Sequence, residues 1–243
     1  MSAARGQLAR GYVLHARPWR NTSMLVEAFT LPGGRIGLVA RGVRRRGSRS
    51  RALLQPFQPL LLSWSGRGEL HTLTAVEAER WRAPPAGRAL LAGFYCNELV
   101  LRLLGRDDPN AEAFAAYDTA LTALAAGGAR APHLRRFELE LLAALGFAPP
   151  LRGRAGRRRR RGSRRAVRLR ARARPRARRR PPGEAAPRVP GAHLLALARG
   201  ALDDAGVQRS ALRVLRACLA PHLGPRPLRS RELYRAMYGG ERA

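Results

Sequence analysis

The 243-residue chain contains no lysine and a single isoleucine, Ile36. All 47 of its basic residues are therefore arginine. A GC-rich genome avoids lysine and isoleucine codons alike, so this bias needs no functional origin, although guanidinium groups suit phosphate when phosphate is present. Cysteine is scarce as well. Cys96 and Cys218 cannot supply a disulfide framework or a zinc-ligand spacing, and both sit in apolar helical patterns, where a thiol behaves as a small buried hydrophobe. No stretch approaches the roughly 18 apolar residues of a membrane span. Met1 to Gly11 carries Arg5 and Arg10 with no apolar run behind them, so no secretory signal is expected. The expected location is the cytoplasm, at the nucleoid, without a membrane partner. Acids number only 16, which leaves a formal charge of 47 − 16 = +31 at pH 7. A charge of that size attracts polyanions, nucleic acid first. Hydrophobic residues make up 45% of the chain, enough to bury a core.

Enzymatic constellations are thin. His15, His71, His133, His193 and His222 are scattered without a metal-ligand spacing. Asp107-Asp108 and Asp203-Asp204 each lie beside glycine or proline and read as loops leading into helices, with no third acid to hold magnesium for a nuclease. Pro32-Gly33-Gly34-Arg35 is without the lysine and hydroxyl of a phosphate-cradling loop. No catalytic residue, metal or cofactor is expected.

Residues 7–80 read as strands: Gly11 to Ala16, Ser23 to Thr30, Arg35 to Val43, Pro59 to Ser63 and Glu69 to Val76. Pro32-Gly33-Gly34 marks one turn and Ser65-Gly66-Arg67-Gly68 another. The long connection falls between the third and fourth strands and holds the basic run Arg44 to Arg51. Five short strands in this arrangement suit an OB-type barrel, although alternation alone does not separate it from an SH3-like one. After Pro84-Pro85 the period becomes helical, through Leu90, Phe94, Leu101 and Leu104, with Asn97 the polar interruption. Helices are predicted at 86–104, 110–126 and 132–146, stopped by Gly127-Gly128 and Gly146. Shorter ones are predicted from Ala192 to Arg199, Ser210 to Leu219 and Ser230 to Tyr238, the last with Ser230 as N-cap. The fold class is α+β, an N-terminal five-stranded barrel, OB-type or SH3-like, followed by a helical domain.

One stretch fits neither pattern. Residues 152–183 hold 17 Arg, 5 Ala, 4 Gly and 3 Pro, a composition with too little apolar surface to order itself, so a disordered segment is expected. The domains read as 1–80, the barrel; 81–150, the first helical part; 151–186, the Arg-rich segment; and 187–243, the C-terminal helical part.

Arg41, Arg44, Arg45, Arg46, Arg49 and Arg51 place six charges in eleven residues at the end of a predicted strand and in the loop after it. Loops of this fold commonly line a nucleic-acid groove, and a bound polyanion relieves the self-repulsion of such a run. Arg17 and Arg20 extend the same phosphate track. Tyr12, Trp19, Phe29, Phe57 and Trp64 are available for stacking on bases, but most read as core. Trp19, between Arg17 and Arg20, is the stacking candidate. A basic architectural or ribosome-associated RNA-binding module suits the same features, as does an adaptor for which DNA contact is incidental.

The order of several local strings resembles the bacterial RecO recombination mediators. They are Gly11-Tyr12-Val13-Leu14, Arg20-Asn21-Thr22-Ser23-Met24-Leu25-Val26, Gly34 to Arg44 and Leu54-Gln55-Pro56-Phe57. The helical half adds Phe94-Tyr95-Cys96-Asn97-Glu98-Leu99, Arg136-Phe137-Glu138-Leu139 and Leu228-Arg229-Ser230-Arg231-Glu232-Leu233. The resemblance covers about 1–150 and 187–238. It implies an OB fold packed on helices, binding to single-stranded and duplex DNA, annealing of complementary strands, and loading of RecA with RecR on DNA covered by single-strand-binding protein. It also implies docking of that protein's acidic, apolar-ended C-terminal tail on the helical domain. Many members carry a four-cysteine zinc motif after the helix that ends near Gly146. This chain has the Arg-rich run there instead, so zinc is not expected. A shifted reading frame in a GC-rich gene produces such a composition, and a genuine DNA-binding tail is the alternative.

Overall fold

The structure, a computed structural model, describes residues 8–127, 130–149, 151 and 187–239, and the backbone of 166–168. Most of the Arg-rich segment, with the expectations attached to it, lies outside the described residues. The chain divides into two compact units, Met1–Gly128 with Pro227–Ala243, and Ala129–Arg226.

The first unit begins with five strands, β1 (Ala9–Trp19), β2 (Ser23–Thr30), β3 (Gly34–Ala40), β4 (Leu60–Ser65) and β5 (Leu70–Ala78). They close into a barrel in the order β1-β2-β3-β5-β4, and β1 pairs with both β2 and β4. Every pairing is antiparallel except β3 with β5. This is the predicted OB fold. Strand alternation sorts the side chains. Val13, Val26, Ile36, Leu38, Leu60 and Leu62 fill the barrel at 1% exposure or less. Tyr12 and Phe29 point the other way, towards the helices.

Two features depart from the strand reading. The third strand ends at Ala40 rather than Val43, because Gly42 has φ +70° and turns the chain, after which Val43 drops back into the core. The basic loop also contains a single helical turn, α1 (Ser50–Leu53), followed by buried Leu54.

Three helices complete this unit: α2 (Gly87–Leu103), α3 (Ala111–Ala125) and the C-terminal α7 (Arg229–Tyr238). Phe114 and Tyr117 of α3 meet Phe29 and Tyr12 edge-on, with ring centroids 5.3 Å apart in each pair, a favoured aromatic geometry. Asp118, one residue on, accepts hydrogen bonds from the Tyr12 hydroxyl and, at 2.9 Å, from Arg82, with Arg10 at 3.6 Å. Burial pushes the Asp118 carboxyl up, but the bonds from Tyr12 and Arg82 outweigh it and hold the group below the usual carboxylate range.

The start of α7 differs from the prediction. Leu228, not Ser230, is the N-cap and makes no side-chain cap bond. The capping group comes instead from α2. Glu98 accepts from the backbone N–H groups of Arg229 and Ser230, both at 3.0 Å, and from the Ser230 hydroxyl at 2.7 Å. A carboxylate there answers the free N–H groups and the positive end of the helix dipole together.

The second unit contains α4 (Arg130–Ala144), α5 (Gly191–Ala198) and α6 (Ala205–Leu223), with a two-stranded ribbon of β6 (Ala166–Arg168) and β7 (Arg188–Pro190). Gly146 ends α4 as predicted, at φ +74°, with Phe147 N–H donating to the Leu142 carbonyl at 2.7 Å. The sixth helix starts at Ala205 rather than Ser210, because Asp204 caps it by accepting from Val207 N–H at 2.7 Å. Cys96 and Cys218 are both buried, and neither is in a disulfide. Among the described residues no helix is long and apolar enough to cross a membrane.

Candidate nucleic-acid interface

Strand register sets out one outer face of the barrel. Arg17 of β1 lies opposite Leu25 of β2, Leu25 opposite Val39 of β3, and Val39 opposite Thr72 of β5. Two residues along, Trp19 lies opposite Ser23. Side chains two apart share a face, so Arg17 and Trp19 stand together, and the Arg17 guanidinium lies over the indole, 5.5 Å from the ring centroid. Leu25 and Val39 are half-buried and give this face an apolar floor.

The turn after β1, Arg20-Asn21-Thr22, and the loop after β3 are joined at this end. Arg44 N–H donates to the Thr22 carbonyl at 2.9 Å. The Arg44 guanidinium donates to the carbonyls of Arg20 at 3.2 Å and Asn21 at 3.4 Å. Arg20 takes a left-handed backbone, φ +51°, which such bonds help to hold. Beyond the staple the chain turns twice more, with Arg45 N–H to Gly42 O at 3.0 Å and Ser48 N–H to Arg45 O at 3.2 Å. Val43 and Leu54 anchor the loop in the barrel core, leaving the arginines between them outside.

The structure thus sets Arg17 against Trp19 and Arg44 against the Arg20 turn, with Arg41, Arg45, Arg46, Arg49 and Arg51 on the same segment as Arg44. Arg17, Arg20, Arg41, Arg44, Arg45, Arg46, Arg49 and Arg51 are all exposed, and Trp19 is half-buried. Among the described residues none of these eight arginines forms an ion pair, whereas Arg10, Arg35, Arg80, Arg82, Arg102, Arg106 and Arg135 all do. Glu27 faces the same side as Leu25, but its carboxylate is held by Arg106 and lies 3.8 Å from Arg35. The charge of these exposed arginines is therefore not balanced by carboxylates among the described residues. Arg44 differs from the rest in that some of its donors serve the turn.

Tyr12, Phe29, Phe57 and Trp64 are core, at 9% exposure or less. Arg67 stands apart from the basic run Arg44 to Arg51, and its own segment marks only a turn. It is exposed in the turn between β4 and β5, and the pairing of Gly37 with Leu70 sets that turn beside β3. Loops at this position flank the binding face of OB folds, so the topology, not the composition, is the signal that finds it. Asp107-Asp108 lies before α3, whose N-cap is Asn110, and Asp204 is engaged as the cap of α6. Among the described residues no group of three or more His, Cys, Asp or Glu is placed to hold a metal ion.

Comparison with known proteins agrees with this architecture. Residues 6–81 match the family described as Recombination protein O N terminal, and residues 85–232 match Recombination protein O C terminal. The chain is 46% identical over 226 residues to the DNA repair protein RecO of Nitrosococcus oceani, covering 93% of this chain and 92% of the relative. It is 43% identical over 244 residues to that of Alkalilimnicola ehrlichii, covering 100% and 96%. To that of Methylococcus capsulatus it is 43% identical over 229 residues, covering 94% and 93%. With both halves matched in order, the chain belongs to the RecO family of DNA repair and recombination proteins.

Proposed function

We propose that this chain is a non-enzymatic recombination mediator that binds single-stranded and duplex DNA, anneals complementary strands and, with RecR, helps load RecA onto DNA coated with single-strand-binding protein. The observation that carries the DNA contact is the set of eight exposed arginines without ion pairs at one end of the barrel. Residues 8–127 alone carry 16 arginines and 9 acids, so 16 − 9 = +7, and a basic barrel unit does not depend on the Arg-rich segment. Holding two strands on one cationic surface screens their repulsion, while stacking and backbone contacts are indifferent to sequence. Base pairing then decides what anneals.

The test is a triple reversal, Arg45→Glu with Arg46→Glu and Arg49→Glu, which spares the stapling Arg44. Binding to a labelled single-stranded oligonucleotide should weaken at least about tenfold and annealing should slow, and wild-type affinity should fall more than about tenfold between about 50 and 200 mM salt. Unchanged affinity and unchanged annealing would move the interface away from the barrel.

A groove in the second unit supports the tail partner. It has a volume of about 890 Å³, an apolar floor that includes Leu139, Leu197 and Leu202, and Arg136, Arg199 and Glu140 at its lining. An acidic peptide with an apolar end fits such a groove, the apolar end on the floor and the acids against the two guanidinium groups. Arg136→Glu with Arg199→Glu should weaken a labelled tail peptide about tenfold or more while oligonucleotide binding is kept; retained peptide binding would reject the site.

A further inference from the structure

Trp81 is 80% exposed, the most exposed large hydrophobic side chain among the described residues. The backbone that carries it is nevertheless fixed on both sides. Before it, Glu79 N–H donates to the Pro59 carbonyl at 3.1 Å. After it, Arg82 N–H donates to the Gln58 side-chain carbonyl at 3.3 Å, and the Gln58 amide donates back to the Arg82 carbonyl. The Arg82 side chain is itself locked, donating to Asp118 at 2.9 Å beneath the Tyr12 ring. The indole therefore stands out from a clamped segment rather than from a frayed end.

A tryptophan carries about 150–250 Å² of surface available for burial, and here almost all of it faces water. Its neighbour Arg80 is 55% exposed and approaches Asp118 only to 3.9 Å, where Arg82 and Tyr12 already occupy the carboxylate. An open ring next in the chain to a half-exposed guanidinium whose ion pair is long, 3.9 Å, is the chemistry that stacks a base and holds the phosphate next to it.

The position is separate from the arginine cluster. Ala78, at the end of β5, pairs with Leu60, and Leu60 pairs with Gly11 near the start of β1, whereas Trp19 ends that strand. Eight residues of strand separate Gly11 from Trp19, about 25 Å at roughly 3.3 Å each. One extended single strand can span that distance within the roughly 4–16 nucleotides that an OB fold occupies.

We propose that Trp81 is a base-stacking residue, with Arg80 as its phosphate contact, at a second nucleic-acid contact on the barrel unit. The occupant is a nucleobase of a single strand. Exposed tryptophans also anchor protein partners, but the adjoining arginine and the basic barrel unit favour nucleic acid. The proposal rests on the DNA-binding reading above and adds a residue to it.

The experiment compares full-length wild type, Trp81→Ala and Trp81→Phe against oligo(dT) of about 20 nucleotides and an abasic sugar-phosphate oligomer of the same length. Trp81→Ala should weaken oligo(dT) about tenfold and leave the abasic oligomer unchanged, with Trp81→Phe in between. Melting temperature should not move, since the side chain buries little. Equal loss on both oligomers, or oligo(dT) affinity equal to wild type, overturns the proposal, and in the second case the indole is left as a protein contact. Wild-type protein that binds neither oligomer rejects the DNA-binding reading itself, so the two failures are told apart.

Discussion

The side-chain amide of Asn97 donates to the backbone carbonyl of Leu14 at 2.8 Å. Leu14 sits at the bulge in β1, where pairing with β2 shifts register between Val13 and His15. A bulged residue loses its ladder partner, and an asparagine in the middle of a buried helix face replaces it. The other end of the same amide accepts from the Tyr117 hydroxyl at 2.6 Å. One side chain, 2% exposed, thus ties α2 to both the barrel and α3.

Replacing that amide should be costly. Asn97→Leu keeps the volume but leaves the Leu14 carbonyl and the Tyr117 hydroxyl buried without their partner, and a loss of about 2–4 kcal/mol is expected for two such groups. Urea denaturation measures it. A variant within about 0.5 kcal/mol of wild type would show that neither group depends on the amide.

Acid should act through Asp118. Its carboxyl is depressed in the folded chain, so its stabilising contribution is fully present above the unfolded value, near 3.9, and is lost as pH falls through the lower folded value. Tyr12 responds in the opposite direction. Burial, then the bond to Asp118, raises its phenol, so its contribution is lost only as pH rises above about 10. Asp118→Asn should lower the urea midpoint at pH 7 and shrink the further drop between about pH 5 and pH 3; parallel curves for the two proteins would contradict this assignment.

Glu98 holds the last helix by its first turn. Glu98→Ala should release α7 selectively, at about 1–2 kcal/mol, because two backbone donors and a hydroxyl lose one acceptor. Hydrogen exchange of residues 229–238 should accelerate while amides in the barrel strands stay protected. Uniform acceleration across the unit would mean that α7 is not a separable element.

Arg44 and Arg45 should part company. Arg45→Ala removes a charge alone, weakening oligonucleotide binding modestly and lowering the salt slope by about one. Arg44→Ala keeps the backbone bond to Thr22 but removes the guanidinium bonds to the Arg20 and Asn21 carbonyls, so it should additionally change the fluorescence of nearby Trp19 in the free protein. Identical spectra for the two variants would deny Arg44 its stapling role.

Much of this architecture was legible in the sequence. The five strands and the glycine stops follow from period-two and helical apolar spacing, which local residues dictate. The exposed basic loop follows from six arginines that no core can accept. What local pattern could not show are partnerships between distant residues. Ser230 looked like a cap because serine commonly is one, but the capping acid sits on α2. Arg44 looked like its neighbours because nothing in its own segment announces a bond to the preceding hairpin. Asn97 was visible as an interruption, but its reason lies in a bulge that only strand pairing reveals. The helices after Pro84-Pro85 also divide between two units, because α7 returns to α2 while α4 packs with α6.

That return path gives the polypeptide an unusual tolerance of being severed. A nick between α4 and β7 that spares β6 yields two fragments, one ending after α4 and the other beginning before α5. Across the cut, α4 still grips α6 and α2 still grips α7. The pieces should co-elute under native conditions and separate only in denaturant, so an intact gel-filtration profile is no guarantee of an intact chain.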